Sequence, residues 1–381
     1  KTAAEPDNAL YQQQLLLLPR AQISTIHGFC AALLREQATA AGLPPRFQIV
    51  EPEQAALLQQ EALDEVLETA YQGADPAFLG LVEQLSDKRS DEILRKAILR
   101  TEDFMQGQAQ PKQWLREQLD AYTRVQPLEQ TSWAQPIRRR IGLALEVCLQ
   151  LAERAVAIAE ESGLEGYRDI LRIDRQQLTQ LAQELPAMEY DALQRRVADF
   201  SFARLPAARV KDAAMEEAKT QVQALRGLVK KRLGVAQTLL SNSAETCRRD
   251  IDTTVPLMEA LGRLVEQYQA AYTARKRRRK WLDYTDLEHE SLRLLLDEQG
   301  QPTALAQAQA QRFEYILVDE CQDINGAQDA LFRALSRQEQ NLFLVGDVKQ
   351  SIYGFRGAMP EIFTARRDGY APYDPEQPAF P

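Results

Sequence analysis

The string ILVDECQD, residues 316–323, sets Asp319 and Glu320 side by side at the end of a short apolar run. Ligands of open parallel sheets bind beyond the carboxyl ends of the strands, and an acidic pair there has the Walker B arrangement. One carboxylate would help hold hydrated Mg2+, and the other would position and activate the water that attacks a γ-phosphate. An acidic turn or helix cap is the plainer reading, and the pair alone leaves both open. A second string, VGDVKQSIYGFRGA at 345–358, follows another apolar run. Gly346 and Asp347 would turn the chain toward the acidic pair and place Gln350, a neutral amide, against the same phosphate. Tyr353 and Phe355 stand beside Gly354 and Gly357, and exposed aromatic faces stack on unpaired bases without demanding a sequence. Arg356 suits a phosphate. A packed aromatic turn is the alternative, and the string as a whole counts against it.

The elements that must position these groups differ along the chain. AQISTIH (21–27), FEYILVDE (313–320) and NLFLVGD (341–347) are short, apolar and followed by helix-like segments. Such runs suit strands of a parallel sheet covered on both faces. Between them, residues 51–298 repeat apolar positions at three- and four-residue intervals, as in EQAALLQQEALDEVLETAY, which predicts some eight to twelve amphipathic helices. Breaks are expected near Gly73–Pro76, Gly107–Pro111, Pro127, Pro136, Gly163–Gly166, Pro186 and Pro206. The expected architecture is an α/β core interrupted by a large, mostly α-helical insertion.

Composition narrows the classes. The 381 residues, 45% hydrophobic and 27% charged, can build two or three domains. No apolar run approaches the ~20 residues that span a bilayer. The four cysteines lie far apart and there are only two histidines, which disfavours structural zinc and fits a reducing cytoplasm. A net charge of −9 argues against a surface coated for nucleic acid but leaves room for a local basic channel. The basic run ARKRRRKW (274–281) is such a candidate, and a solvated helix end is its alternative.

ILVDECQD followed by LFLVGDVKQSIYGFRGA resembles motifs II and III of superfamily 1A DNA helicases, the UvrD/Rep/RecB group. ISTIHGFC resembles their motif Ib, and WLDYTDLE (281–288) the acidic motif before motif II. Size and the stretch LLLLPRAQISTIHGFCAALLREQATAAGLPPRFQIVEPEQAALL look most like the AddA helicase–nuclease group, with RecB as close relative. The resemblance implies a partial RecA-like (P-loop NTPase) parallel sheet. Residues 1–45 would belong to helicase domain 1A with motif Ib, 46–280 to a 1B-like helical insertion, 281–370 to the return into domain 1A, and 371–381 to a tail or linker. It also implies ATP and Mg2+ as cofactors, DNA (single strands and duplex ends) as substrate, and an AddB-type partner subunit. Asp319 and Glu320 would be the Mg2+ and water-activating carboxylates. Gln350 would sense the γ-phosphate, while Thr25, His27, Tyr353, Phe355 and Arg356 would meet DNA. Gln322, Asp323, Gly346, Asp347, Asp283 and Asp286 would support the motifs. A buried, satisfied histidine remains the alternative for His27, and helix capping for Asp283, Tyr284 and Asp286. Three positions depart from the family pattern: Cys321 stands where Phe is usual, Ile324 where Thr is common and Met359 where Asp is common.

A complete motor also needs a phosphate-cradling G-x-x-x-x-G-K-[ST] loop, yet no glycine here precedes a lysine. The arginine motifs of a second motor domain and a nuclease carboxylate cluster are likewise missing. The expectation is an excised portion of a larger protein, with little ATP hydrolysis of its own. A compact UvrD-like helicase without nuclease and a non-catalytic DNA- or partner-binding scaffold remain the other readings.

Overall fold

Several helices in the computed structural model, which describes residues 9–17, 21–86, 90–124, 126–351 and 357–370, begin at a side-chain cap. In chain order the helices and strands are α1 (Ala9–Leu17), α2 (Ile26–Glu36), α3 (Ala38–Ala41), β1 (Gln48–Ile49), α4 (Pro52–Gly73), α5 (Pro76–Leu85), α6 (Glu92–Gln106) and α7 (Pro111–Thr123). There follow α8 (Ala134–Glu161), α9 (Glu165–Glu184), α10 (Tyr190–Ala198), α11 (Ala213–Leu239) and α12 (Ala244–Arg278). The chain continues through β2 (Trp281–Leu282), α13 (Tyr284–Leu295), α14 (Ala304–Ala310), β3 (Ile316–Val318), α15 (Gly326–Leu335), β4 (Leu342–Leu344) and α16 (Pro360–Gly369).

The α4–α5 break shows the local logic. Ala74 turns left-handed at φ 46°, Asp75 caps through the Ala77 N–H, and Pro76 opens α5 with the fixed φ of a first helical residue. Pro136, expected at a break, instead lies in the first turn of α8, where a missing N–H is harmless. Pro256 sits inside α12, a position the sequence does not mark as a break.

The described residues fall into two compact units, one within Lys1–Glu117 and Leu257–Pro381, the other Gln118–Pro256. The second unit is helical. Its α8 packs against both α9 and α11, with Leu145, Cys148, Leu178, Leu181, Val229 and Leu233 in one apolar cluster. Arg226 of α11 is buried there, donating to Asp174 at 2.7 Å and to the Ala203 carbonyl at 2.6 Å.

In the first unit α13 is central, packing against α2 and α15 around Cys30, Leu34, Leu287, Leu292 and Leu331. Two parallel strand pairs flank it: β1 with β2, in the register Gln48↔Trp281, and β3 with β4, in the register Leu317↔Phe343. Val318 faces inward, whereas Tyr315, Leu317, Phe343 and Val345 present one exposed apolar face. The expected strand at 21–27 is absent. Thr25 accepts the Gly28 N–H through its hydroxyl and caps α2, so the chain turns helical at Ile26. Helix α16 is held to α15 by Arg366, whose buried guanidinium donates to Asp329 at 3.0 and 2.6 Å and to Glu339 at 2.5 Å.

No helix among the described residues is long and apolar enough to cross a membrane. All four cysteines are free thiols.

Candidate functional site

The ends of β3 and β4 converge on one buried amide. After Val318 the chain exposes Asp319 and Glu320, and Glu320 takes a left-handed conformation, φ 53° and ψ 40°. Left-handed backbone at a non-glycine residue is sparsely populated and concentrates at functional sites. The Glu320 N–H donates to the Asp319 carboxylate at 3.0 Å. Gln322, 1% exposed, donates its amide to Glu320 Oε2 at 2.7 Å and accepts the Asp347 N–H at 2.9 Å. Asp347 in turn accepts from Gln350 Nε2 at 3.3 Å and from the Lys349 N–H at 3.0 Å. A hydrogen-bonded series Glu320–Gln322–Asp347–Gln350 thus spans the two strand ends. Gly346 is required for the approach: a Cβ there would lie 2.6 Å from Gln322 Oε1. The backbone closes the same gap, Cys321 N to Val345 O at 2.8 Å and Val345 N to Val318 O at 2.9 Å.

Neither Asp319 nor Glu320 pairs with a basic side chain among the described residues, so both carboxylates are available to a cation. Two neighbouring exposed carboxylates match the donor set of Mg2+, which takes one or two carboxylates and fills its shell with water and phosphate oxygens. Asp323 sits in the turn after Glu320, with its Oδ1 buried and unbonded among the described residues. Tyr353, Phe355 and Arg356 lie outside the described residues. Of the departures from the family pattern, Cys321 is fully buried, and Ile324 and Met359 meet through a backbone hydrogen bond of 2.9 Å.

A second group surrounds α13. His27 Nε2 donates to Glu288 Oε1 at 2.9 Å, and its ring lies 4.6 Å from that of Tyr284. Gln328 Nε2 donates to the same Glu288 oxygen at 2.7 Å. Thr25, exposed, serves as the α2 cap two residues before His27. Residue type and spacing do not single out Glu288 or Gln328 as site residues. Asn325 with Gln328 has capping-box spacing, and both bonds of that box form.

Asp283 and Asp286 make a reciprocal capping box at the start of α13. Both also hold Lys276 Nζ at 2.6 Å, and the ammonium lies 4.2 Å from the Tyr272 ring centre. Burial pushes both carboxyls up. At Asp283 burial is the largest influence, but the Lys276 charge and the hydrogen bonds from Lys276 and the Asp286 N–H together outweigh it and hold the pKa below its ordinary value, whereas Asp286, raised by burial and by neighbouring Asp283, reaches about 6. Glu102 of α6 is raised to about 7, by burial and then by Asp283. The basic run at 274–281 is largely occupied internally: Arg275 pairs with Glu61 and Glu65, Arg277 with Glu290, and Arg279 covers Trp281.

Residues 3–371 match the UvrD/REP helicase N-terminal domain. A protein of Moorella thermoacetica, named as the A-type subunit of an ATP-dependent helicase/nuclease, is 37% identical over 97% of this chain and 27% of its own length. Proteins of the same name are 33% identical in Alkaliphilus metalliredigens, over 94% of this chain and 29% of theirs, and 32% identical in Acetivibrio thermocellus, over 98% and 31%. The chain therefore spans under a third of the length of these curated relatives. With motifs II and III meeting at Gln322 and the match running through nearly all of its length, the chain belongs to the UvrD/REP helicase N-terminal domain family.

Proposed function

We propose that this chain is the N-terminal motor portion of an ATP-dependent 3′→5′ DNA helicase/nuclease that translocates on single strands and processes duplex ends for recombinational repair. The observation that carries this reading is the hydrogen-bonded series from Glu320 through Gln322 and Asp347 to Gln350. It binds a candidate water-activating carboxylate to a candidate phosphate-sensing amide across two parallel strand ends, where nucleotide chemistry in α/β sheets takes place. The exposed face of Tyr315, Leu317, Phe343 and Val345 supports an interrupted, RecA-like sheet whose covering layer belongs to other parts of the whole protein. The residues 46–280 are the intervening, mostly helical insertion on this reading.

ATP would supply the phosphoryl group and Mg2+ the charge neutralisation. Asp319 would hold the hydrated cation, and Glu320 would accept a proton from the attacking water. Gln322 keeps the Glu320 carboxylate in place and senses, through the Asp347 N–H, any shift of the segment bearing Gln350. Thr25 and His27 meet single-stranded DNA, as would Tyr353, Phe355 and Arg356. The names of the relatives favour a partner of AddB type, and four free thiols favour the cytoplasm.

ATP hydrolysis stimulated by single-stranded DNA, measured on the full-length protein beside its Glu320→Gln variant, tests the reading. Strong stimulation in the parent and a loss of at least about a hundredfold in the variant is the expected result. A folded full-length protein without turnover would sink the motor and favour a scaffold.

A further inference from the structure

Glu288 is a buried carboxylate, its side chain 5% exposed, and His27 is its one ion-pair partner among the described residues. A carboxylate taken from water needs compensating donors, and here a single oxygen receives two. His27 Nε2 comes from the start of α2 and Gln328 Nε2 from the first turn of α15. His27 itself is only part-buried, at 34% exposure, with Tyr284 packed against its ring. Among the described residues no group bonds its other nitrogen, Nδ1. The imidazole is fixed on its inner edge and available on its other nitrogen.

We propose that Glu288 is a positioning residue for a single-stranded-DNA contact of His27: its buried oxygen, anchored by Gln328, fixes the imidazole against Tyr284 and leaves Nδ1 to the DNA. This rests on the motor reading above. Gln328 is the third residue of the helix that follows the Asp319–Glu320 turn, so the His27 ring is referenced to the element beside the nucleotide end. A carboxylate that served only to pack three helices would have no reason to orient one partly exposed ring.

The test uses the full-length protein and an oligothymidylate single strand, reading the DNA concentration that half-stimulates ATP hydrolysis and the turnover at saturating DNA. Variants are His27→Ala, Glu288→Ala, their combination, and Glu288→Gln, whose amide oxygen still accepts both bonds. His27→Ala and Glu288→Ala should each raise the half-stimulating concentration about tenfold, the scale of one lost hydrogen bond. The effect should fall on that concentration more than on saturated turnover. The double variant should be no worse than either single one, and Glu288→Gln should recover most of the loss. Independent, multiplying losses would overturn the proposal. So would a Glu288→Ala defect confined to saturated turnover or to thermal stability. A normal half-stimulating concentration in His27→Ala would remove the DNA contact and the proposal with it, while leaving the motor standing. Failure of the parent to respond to DNA would instead fall on the motor reading itself, and the proposal would go with it.

Discussion

At the scale of single residues, the site depends on how closely two strand ends can approach. Gly346 leaves no room for a methyl group, because Gln322 Oε1 occupies the space at 2.6 Å. In Gly346→Ala the Gln322 amide must move, releasing Glu320 Oε2, Asp347 N–H or both. The expected outcome in the full-length protein is a fall in ATPase turnover of about tenfold or more with the fold retained, since small displacements of catalytic groups carry large rate effects. Unchanged turnover would show that Gln322 does not position Glu320. Residue types make Asp319, Glu320, Gln350 and the glycine visible as candidates in the sequence. The bridging role of Gln322 is not visible there, because two hydrogen bonds on one amide depend on a chain reversal that the string does not encode locally. Glu288 is hidden for a related reason: its partners are 261 and 40 residues away.

At the scale of elements, legibility follows length and continuity. Strands β3 and β4 stand out because unbroken apolar runs end in polar residues. The run at 21–27 looks similar, but Thr25 offers a cap and the helix wins. Strands β1 and β2 are two residues each, too short for any periodicity, and only their parallel pairing reveals them. Six consecutive basic residues suggest a solvated helix end, whereas the helical period turns Lys276 inward onto Asp283 and Asp286. That inward charge cluster gives buried Glu102 of α6, which feels Asp283 and Lys276, a pH-dependent effect on stability. Glu102 is protonated in both folded and unfolded chains below its ordinary pKa of 4.5, and between there and about 7 ionises only when unfolded. Its contribution to stability therefore declines as pH rises through that window. Glu102→Gln should stabilise the chain by about 1–2 kcal/mol at pH 8, allowing for partial exposure, and by nothing measurable near pH 4.5. Thermal unfolding at the two pH values checks this, and an equal shift at both would refute it.

At the scale of the whole molecule, the apolar face of Tyr315, Leu317, Phe343 and Val345 is the least self-sufficient surface, with Leu317 74% exposed. A parallel strand pair open on one face is an invitation to pair or stack. The isolated chain should self-associate in a concentration-dependent way, and Leu317→Lys with Phe343→Lys should abolish that association while leaving helix content unchanged. Analytical ultracentrifugation with circular dichroism reads both, and a monomeric parent would contradict the expectation. The helical middle and its α/β flanks are recognisable from composition alone, because Leu-, Ala- and Glu-rich periodic stretches give way to strand-like runs. The division at residues 118 and 256 is not, since helices α7 and α12 continue through it.

The β1–β2 pair has a kinetic corollary. Gln48 and Trp281, side by side in that ladder, are 233 residues apart, and their side chains are also hydrogen-bonded. Closing so long a loop is slow, whereas α8, α9 and α11 assemble from far nearer neighbours. During synthesis the second unit can be complete before Trp281 leaves the ribosome. The β1–β2 closure, with the α2–α13 contact that brings His27 to Glu288, must wait for it. Order of emergence thus lets the helices of the second unit fold first, with the β1–β2 pairing of the first unit completed last.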